Sequence, residues 1–465
     1  MMNFKTEPFF RRILWIGVLL SLMACQNEGD GTEKEEVKEP QYPTFSIDPA
    51  TTYQEMVGFG GALTWYSSRV ASSPKSEEIY QLMFEDLGMD ILRLKNWYYP
   101  ADYPNNKSTD EMLTSGDKEM FEATQEFYAK AKSYNPDIEI LLCSWGPPAA
   151  LKNNNNLREG FLKKDEEGNY MYDAFAQYWV DVLDHYNFTP EYISIQNEPS
   201  YVNANWTTCM WGATEATGLP GYDKAFDQVY DRIKDRPNAP LMVGPESENV
   251  QAFSTFALVA KSRESCSVYG YHPYNFSKDT PISSITPFLK SMAQDFGDKP
   301  NFMTEYSGMS WFQTARFMQQ TLQYANTSAY LYWELVWGDV TTKDKAMIYV
   351  DGAGGYMVNS FYYLIKHFSK HIDKGYKRVE VSSVLPLVEV TGYLNPAGDK
   401  LTLIAVNADA RNLDYKFEVE GMEIANISGY QTVGDSFYQE LEGVETDKPV
   451  RLPAESISTF VLELK

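Results

Sequence analysis

The sequence predicts an α/β protein in which a (β/α)8 TIM barrel carries an appended antiparallel β-sandwich built from both chain ends. Two patterns in the 465 residues support this fold. Short apolar segments alternate with helical stretches over residues 57–375, and strand periodicity without helices follows over residues 376–465. An extended segment within residues 43–56 precedes the first barrel strand and is predicted to complete the sandwich.

The predicted barrel strands are runs of apolar and β-branched residues that stop at a turn or a polar residue. There are eight, at 56–60, 91–95, 138–144, 192–197, 241–244, 268–271, 301–305 and 329–334. Helical stretches lie between them; within 174–186 apolar side chains recur at i, i+3 and i+4, and 118–134 has the same pattern. Eight such units in roughly 300 residues fit a closed barrel, whose active site lies at the carboxyl ends of its strands.

A doubly wound parallel sheet is the alternative interpretation of this alternation. Its dinucleotide-binding fingerprint needs three spaced glycines, but the segment from Gly352 to Gly355 is followed by Met357 where the third glycine should stand. We therefore interpret that segment as a plain loop.

The predicted sandwich strands have a period of two. They lie at 387–390, 401–406, 415–419 and 458–464 and are joined by turns such as 395–398. No amphipathic helical pattern interrupts them, so we predict a β-domain of about 90 residues.

Residues 1–25 resemble a bacterial lipoprotein signal peptide. Arg11 and Arg12 precede a short apolar run at 13–20, and Leu-Met-Ala stands directly before Cys25. This ending is similar to a lipobox, which implies a lipid on Cys25 and a location on the bacterial outer membrane or cell surface. The polar, acidic segment 26–42 is predicted to be a disordered tether, so that the membrane is contacted through the lipid anchor alone.

Composition limits the classes of partner. The formal net charge of −24 argues against nucleic acid and against adhesion to anionic lipid. The chain has 33 Tyr and 10 Trp, and aromatic faces stack on sugar rings, although a Tyr-rich core would account for the same numbers. A neutral glycan is therefore compatible with the composition. We expect a monomer.

Metal and cofactor sites are not indicated. After Cys25 the chain has Cys143, Cys209 and Cys266, an odd number without metal-ligand spacing, and its four His are scattered. We therefore predict no disulfide framework, no catalytic metal and no cofactor.

Two glutamates stand where predicted barrel strands end. Glu198 follows the run at 192–197, and Glu305 closes the run at 301–305. Because the carboxyl ends of barrel strands meet at one face, we expect the two carboxyl groups to lie close together. Such a pair can cleave a glycosidic bond: one carboxylic acid protonates the leaving oxygen, and the other carboxylate attacks the sugar carbon or activates water.

Together these segments resemble glycoside hydrolase family 30 from Thr44 to Lys465. The motifs that carry the resemblance are Val57-Gly58-Phe59-Gly60-Gly61-Ala62, Ile91-Leu92-Arg93-Leu94, Ser144-Trp145-Gly146-Pro147-Pro148-Ala149, Ser194-Ile195-Gln196-Asn197-Glu198-Pro199, His272-Pro273-Tyr274, Thr304-Glu305-Tyr306-Ser307 and Leu452-Pro453-Ala454-Glu455-Ser456-Ile457-Ser458-Thr459. The resemblance implies a barrel with a side β-sandwich and a retaining mechanism. The segment 193–199 and the Trp-rich strand ends are most similar to the bacterial xylanase branch, so xylan is the expected polysaccharide substrate, with endo-1,4-β-xylanase or glucuronoxylanase activity.

Carried over to this sequence, the resemblance makes Glu198 the general acid/base and Glu305 the nucleophile. The two carboxyls of a retaining site lie about 5 Å apart, so we expect a negative Glu305 to raise the pKa of Glu198. Arg93 is expected to keep Glu305 ionised, and Tyr274 is expected to hydrogen-bond it. Asn197 is predicted to donate to a sugar 2-hydroxyl.

Four aromatic residues are predicted to bind sugar rings, namely Trp65, Trp145, Tyr201 and Trp333. For each Trp, packing in the core is the alternative role. His272 is predicted to be a structural hydrogen-bonding residue. Glucuronoxylan-specific members of the family carry an Arg-rich segment after the eighth strand, whereas residues 333–339 contain no Arg and only Lys343 and Lys345 follow. We therefore expect a weaker preference for glucuronic acid branches.

Two other functions remain open on the sequence. One keeps the family and changes the substrate, to β-1,6-glucan or glucosylceramide, because the loops around the pocket decide which glycan fits. The other is a non-catalytic surface lipoprotein that binds glycans. Pure binding does not need a second strand-end carboxylate, so Glu198 together with Glu305 argues against it.

Overall fold

The computed structural model describes residues 41–104, 113–341 and 345–465. The predicted signal peptide with Cys25, most of the predicted tether and Lys343 lie outside these ranges. Among the helices inside them, none has both the length and the apolar composition that a membrane crossing requires.

The first strand, β1 (Thr44–Glu55), belongs to the side domain, and the next eight strands form a closed parallel barrel in chain order. The barrel strands are β2 (Gly58–Leu63), β3 (Ile91–Lys95), β4 (Glu139–Cys143), β5 (Tyr192–Ser194), β6 (Leu241–Ser247), β7 (Val268–Tyr271), β8 (Asn301–Met303) and β9 (Thr327–Tyr332). Strand β2 pairs with β9 and closes the barrel. Each observed strand overlaps one predicted segment, and the predicted barrel is confirmed.

Small and large side chains shape the barrel interior. A Cβ atom on Gly60 would lie 1.7 Å from the carbonyl oxygen of Ile91, so β2 and β3 can approach this closely only with glycine at that position. Seven strands contribute to one buried cluster, made of Ile91, Leu141, Tyr192, Val243, Val268, Phe302, Ala329 and Leu331. This packing makes the barrel a filled core and leaves its chemistry to the carboxyl ends of the strands.

Helices surround the barrel. They are α1 (Ser67–Ala71), α2 (Ser76–Gln81), α3 (Ser115–Tyr134), α4 (Tyr172–His185), α5 (Tyr222–Ile233), α6 (Val250–Ala260), α7 (Ile282–Phe296), α8 (Trp311–Tyr324) and α9 (Ser360–Ser369). The predicted stretches 118–134 and 174–186 correspond to α3 and α4, and α4 buries Phe175, Trp179 and Val182 as its periodicity predicts. After β9, the strands β10 (Val336–Trp337), β11 (Ile348–Val350) and β12 (Tyr356–Val358) form a small sheet.

The side domain is a nine-stranded sheet in the order β18-β17-β20-β15-β14-β13-β1-β16-β19. Its remaining strands are β13 (Lys377–Ser382), β14 (Val388–Leu394), β15 (Lys400–Asn407), β16 (Leu413–Val419), β17 (Ile424–Val433), β18 (Ser436–Glu440), β19 (Val450–Leu452) and β20 (Ser456–Leu464). The predicted barrel with a sandwich-like β-domain is confirmed. One pairing differs from the predicted antiparallel pattern, because β1 lies antiparallel to β13 but parallel to β16. A strand that arrives from the other end of the chain is not tied to its neighbour by a hairpin, so its direction is free.

Buried hydrogen bonds join the barrel helices to this sheet. The Gln319 side chain on α8 donates to the carbonyl of Ile404 at 2.7 Å and accepts from the Thr391 hydroxyl at 2.7 Å. On α9, the ring nitrogens of His367 lie 2.8 Å from the hydroxyls of Thr459 and Thr432. Gln319 and His367 thus each have two hydrogen-bond partners, as buried polar side chains require.

Candidate active site

A pocket of about 760 Å³ opens at the carboxyl ends of the barrel strands, a size ordinary for ligand sites. Its lining is aromatic, amide and acidic, and consists of Trp65, Tyr66, Trp145, Asn197, Glu198, Tyr201, Asn205, Trp206, Glu248, Tyr274, Glu305, Trp333 and Trp337. Of the residues predicted for catalysis and sugar binding, all except Arg93 line this pocket. Arg93 is fully buried and contacts the pocket residues from below.

The loop after β5 positions the first glutamate. Strand β5 ends at Ser194, so Glu198 lies in the loop beyond the strand. The amide of Asn197 donates to the carbonyl of Ser144 at 2.7 Å, and the amide of Glu198 donates to the carbonyl of Glu246 at 3.0 Å. The backbone of Glu198 has φ of +48°. Positive φ is uncommon outside glycine and clusters at functional sites, where surrounding contacts hold it.

The two glutamates face each other across a short gap. One carboxylate oxygen of Glu198, one of Glu305 and a ring nitrogen of His272 all lie within 4.8 Å of one another. Retaining glycosidases have their carboxyl groups about 5–5.5 Å apart, whereas inverting enzymes need roughly 6.5–9.5 Å to hold a water. The geometry therefore matches the retaining class.

Each oxygen of Glu305 accepts a hydrogen bond from a different side chain. Arg93 Nη1 lies 2.9 Å from Oε2, and the Tyr274 hydroxyl donates to Oε1 at 3.0 Å. Burial raises the pKa of Glu305 above its ordinary value, and Arg93 and the hydrogen bond from Tyr274 oppose that rise. These contacts favour the ionised form and fix the direction of the carboxylate.

Arg93 is shared among three polar partners. Besides Glu305, its Nε donates to Glu246 Oε1 at 3.1 Å and its Nη2 donates to Asn197 Oδ1 at 2.6 Å. Burial alone would raise the pKa of Glu246, but Arg93 and a hydrogen bond from Cys143 bring it to about 2. Glu246 is therefore a permanent buried anion beneath the site. The sequence analysis did not single it out.

Glu198 is the carboxyl group that keeps its proton. Burial, then the charge of Glu248 and that of Glu246, raise the pKa of Glu198 to about 8 against the opposing effect of Arg93. The sequence analysis assigned this effect to Glu305. The structure gives burial as the largest cause and Glu248 as the next. A carboxylic acid that stays protonated at neutral pH can act as a general acid.

His272 connects Glu198 to the barrel wall. Its Nδ1 lies 3.2 Å from Glu198 Oε1, and its Nε2 lies 3.1 Å from the hydroxyl of Thr304. Burial lowers the pKa of His272, so the ring is neutral at pH 7. Glu198, His272 and Glu305 are also the three side chains in the described chain whose ligand atoms are close enough to share a metal. Both His272 nitrogens already face protein partners, which favours a hydrogen-bonding role.

Aromatic rings form the walls of the pocket. Trp65 packs edge to face against Trp145, Trp333 and Trp337, with ring centroids 6.0, 5.5 and 6.3 Å apart. A second pair, Tyr201 and Trp206, has centroids 6.5 Å apart. Rings that are both packed and exposed to a pocket can offer a rigid face to a sugar.

Five pocket-lining residues escaped the sequence analysis: Tyr66, Asn205, Trp206, Glu248 and Trp337. Glu248 directly follows β6, which ends at Ser247, but the predicted strand ended at residue 244 and therefore did not point to it. Trp206 lies in a loop without strand or helix periodicity, so its sequence offers no comparable signal. Within the described ranges, no Lys or Arg lines the pocket; Lys345 has its carbonyl bonded to Tyr332 and is not part of the lining.

No family model matches the chain. Among curated proteins, an endo-1,6-β-D-glucanase of Aspergillus fumigatus is 24% identical over 374 residues, which are 69% of this chain and 71% of the relative. A glucuronoxylanase of Bacillus subtilis is 24% identical over 350 residues, 70% of this chain and 74% of the relative. Each match thus covers more than two thirds of both chains.

Solved structures agree over a larger part of the chain. A family 30 subfamily 8 xylanase from Clostridium acetobutylicum superposes with a TM-score of 0.68 at 21% identity, covering 90% of this chain and 99% of that one. The catalytic domain of a family 30 xylanase from Talaromyces cellulolyticus gives 0.73 at 18% identity, with 90% and 99% covered. An endo-β-1,6-glucanase gives 0.69 at 14% identity, with 90% and 94% covered. The predicted resemblance is confirmed: this chain has the fold of the family 30 glycoside hydrolases, and its relatives in sequence and structure are glycoside hydrolases.

Proposed function

We propose that this protein is a retaining endo-β-glycosidase that hydrolyses xylan. The observation that carries the proposal is the separation of at most 4.8 Å between carboxylate oxygens of Glu198 and Glu305 inside an aromatic pocket. A carboxyl pair this close leaves no room for an inverting water and suits a covalent glycosyl-enzyme intermediate.

In this proposal Glu305 is the nucleophile and Glu198 the acid/base. Glu305 attacks the anomeric carbon while Glu198 gives its proton to the departing glycosidic oxygen, so the sugar becomes bonded to a carboxylate oxygen of Glu305. Glu198, now ionised, takes a proton from water, and that water displaces the Glu305 carboxylate from the same face that the leaving group occupied. Arg93 and Tyr274 hold Glu305 in line for both steps.

Asn197 is oriented for the sugar by Arg93. A guanidinium offers only donors, so the short contact at 2.6 Å fixes the Asn197 carbonyl oxygen toward Arg93 Nη2. The amide NH2 is thereby left to the pocket, which Asn197 lines. A donor at this place suits a ring hydroxyl next to the reacting carbon.

The lining favours an uncharged glycan. The described lining holds three carboxyl groups, Glu198, Glu248 and Glu305, and no Lys or Arg. A glucuronate branch would meet like charge there, so a neutral xylan backbone is the better ligand. Sequence similarity to the Bacillus subtilis glucuronoxylanase and structural similarity to family 30 xylanases support xylan.

β-1,6-Glucan is the second candidate, and it has equal support from relatives. The Aspergillus fumigatus relative and one structural neighbour are endo-β-1,6-glucanases. A neutral glucan also satisfies the charge of the lining. The two candidates differ in the linkage and in the hydroxymethyl group of glucose, which the loops around the pocket must accept or reject.

A substrate panel tests the proposal. The full chain is incubated with linear xylan, arabinoxylan, glucuronoxylan, β-1,6-glucan and a glucosylceramide, and the products are followed by NMR so that their initial anomeric configuration is recorded. We expect β-configured oligosaccharides from xylan. β-1,6-Oligosaccharides alone would establish the second candidate, an initial α-product would overturn the retaining assignment, and binding without turnover on every glycan would indicate a non-catalytic protein. Glu305→Ala serves as the blank.

We also propose that the chain is a lipoprotein attached through Cys25 at the bacterial cell surface. The support is the run at 13–20 before Leu-Met-Ala-Cys25 and the acidic segment that follows. Attachment would place a polysaccharide hydrolase where large glycans first meet the cell.

A further inference from the structure

A third carboxyl group lines the pocket and has no part in the mechanism above. Glu248 directly follows β6 and shares the pocket lining with Glu198 and Glu305. It is half-buried, so it faces the pocket without being sealed from it.

Hydrogen bonds tie Glu248 to the loop that carries Glu198. The hydroxyl of Ser200, two residues beyond Glu198, donates to Glu248 Oε2 at 2.6 Å. Asn249 Nδ2 donates to the other oxygen at 3.0 Å. The backbone carbonyl of Glu248 accepts from the amide of Tyr274 at 3.2 Å. Glu248 therefore bridges the loop of the acid/base and the loop of the tyrosine that bonds the nucleophile.

The carboxyl groups around Glu198 differ in whether a nearby positive charge offsets them. Glu246 and Glu305 share the positive charge of Arg93, and His272 is neutral. Within the described chain no salt bridge involves Glu248, and its side-chain donors, Ser200 and Asn249, are uncharged. After burial, Glu248 is the largest cause that raises the pKa of Glu198. A negative charge that stays uncompensated opposes the appearance of another one beside it.

We propose that Glu248 is a positioning residue that holds the Glu198 loop through Ser200 and, by its negative charge, keeps Glu198 protonated at neutral pH. This inference rests on the proposed role of Glu198 as general acid. Glu248 would then move the alkaline limit of activity to higher pH, since turnover stops where the acid loses its proton.

The test separates charge from position. Glu248→Gln removes the charge but keeps a carbonyl oxygen that can accept from Ser200. In the pH profile of kcat/KM, we expect the basic limb to move to lower pH by about half to one unit. Removing one neighbouring negative charge should lower the pKa of Glu198 by that amount. Glu248→Asp keeps the charge and should restore the limb. Ser200→Ala keeps the charge and loses the tie, so it should lower kcat without moving the limb.

A matched control and a second readout complete the test. Glu122→Gln removes one negative charge from the exposed face of α3 and should leave the profile unchanged. Carbon-13 NMR of glutamate-labelled protein, with the Glu198 signal assigned by its loss in Glu198→Gln, reports the titration without any substrate. If Glu198 titrated at the same pH in the wild type and in Glu248→Gln, the inference would be overturned. If the titration shifted but the protein was inactive on every glycan, only the proposed function would be contradicted.

Discussion

Arg93 and Glu305 form a buried ion pair, with Arg93 Nη1 2.9 Å from Glu305 Oε2 and the arginine fully buried. The same guanidinium contacts Glu246 at 3.1 Å. One positive charge therefore serves two carboxylates, one that reacts and one that does not. Because neither acid reaches bulk water freely, the arginine is needed both for the chemistry and for the stability of the fold.

Replacing Arg93 by methionine should destabilise the protein. The variant leaves Glu246 buried without its cation, and breaking a buried pair in this way costs about 3–5 kcal/mol. Urea unfolding at pH 7 measures the loss. The exposed pair of Arg451 with Asp414 offers a control, and Arg451→Met should change stability far less.

The stability that the protein loses in Arg93→Met should also depend on pH. In the wild type, Arg93 helps to bring the pKa of Glu246 to about 2, below the ordinary value of a glutamate. Stabilisation from a lowered pKa is fully present above the unfolded pKa, near 4.3, and is lost as the pH falls toward the folded one. The gap between wild type and variant should therefore shrink between pH 5 and about pH 2. If the stability difference between wild type and Arg93→Met did not change with pH, the ionisation of Glu246 would not be its cause.

The two glutamates should respond differently to substitution. Glu305→Ala should abolish turnover of every substrate, because no covalent intermediate forms. Glu198→Ala should keep turnover of aryl glycosides with good leaving groups, since these need little protonation. Azide should then rescue Glu198→Ala and give a β-glycosyl azide. An α-azide from Glu198→Ala would exchange the roles of the two residues.

Removal of uronic acids should have little effect on turnover of xylan. We expect the ratio of kcat/KM on glucuronoxylan to that on the same polymer without uronic acids to stay within about tenfold, or roughly 1.4 kcal/mol of transition-state binding. The described lining holds no arginine to fork onto a carboxylate. A ratio of about a thousand or more, roughly 4 kcal/mol, would point to a basic group outside the described residues. Lys343→Ala would then test the nearest candidate in the sequence.

Trp206 should matter for polymers and not for small substrates. The ring is 36% exposed and lines the pocket. Its loop is pinned by the Thr208 hydroxyl, which accepts from the amide of Asn203 at 3.1 Å. Trp206→Ala should raise KM for xylan about three- to tenfold through lost stacking, with kcat unchanged and aryl glycosides unaffected. Phe288→Ala, 43% exposed outside the pocket, is the matched control.

Cys25→Ser should release the protein from membranes. The lipid is expected on that thiol, and the folded residues from Thr44 onward contain the whole pocket. Fractionation of cells should find the variant in the soluble fraction with unchanged specific activity. Membrane association equal to that of the wild type would contradict lipidation at Cys25.

The sequence predicts the barrel well because buried parallel strands are short apolar runs, and 91–95 and 268–271 coincide with β3 and β7. Glu198 and Glu305 could be found because they stand just beyond such runs. The parallel pairing of β1 with β16 could not, since nothing local sets the direction of a strand that arrives from afar. Trp206 was missed for a related reason, because its place in the pocket depends on how separate loops fold against each other. Glu248 was missed because the predicted strand 241–244 ends before the observed β6, which reaches Ser247.

Strand β1 has a further consequence for how the protein folds during synthesis. Its partners are made last: the Tyr53 hydroxyl bonds Glu380, 327 residues later in the chain. Until the C-terminal strands are available, β1 has neither β13 nor β16 to pair with along its two edges. The nine-stranded sheet can close only once its C-terminal strands have emerged, so native folding is delayed until translation is nearly complete.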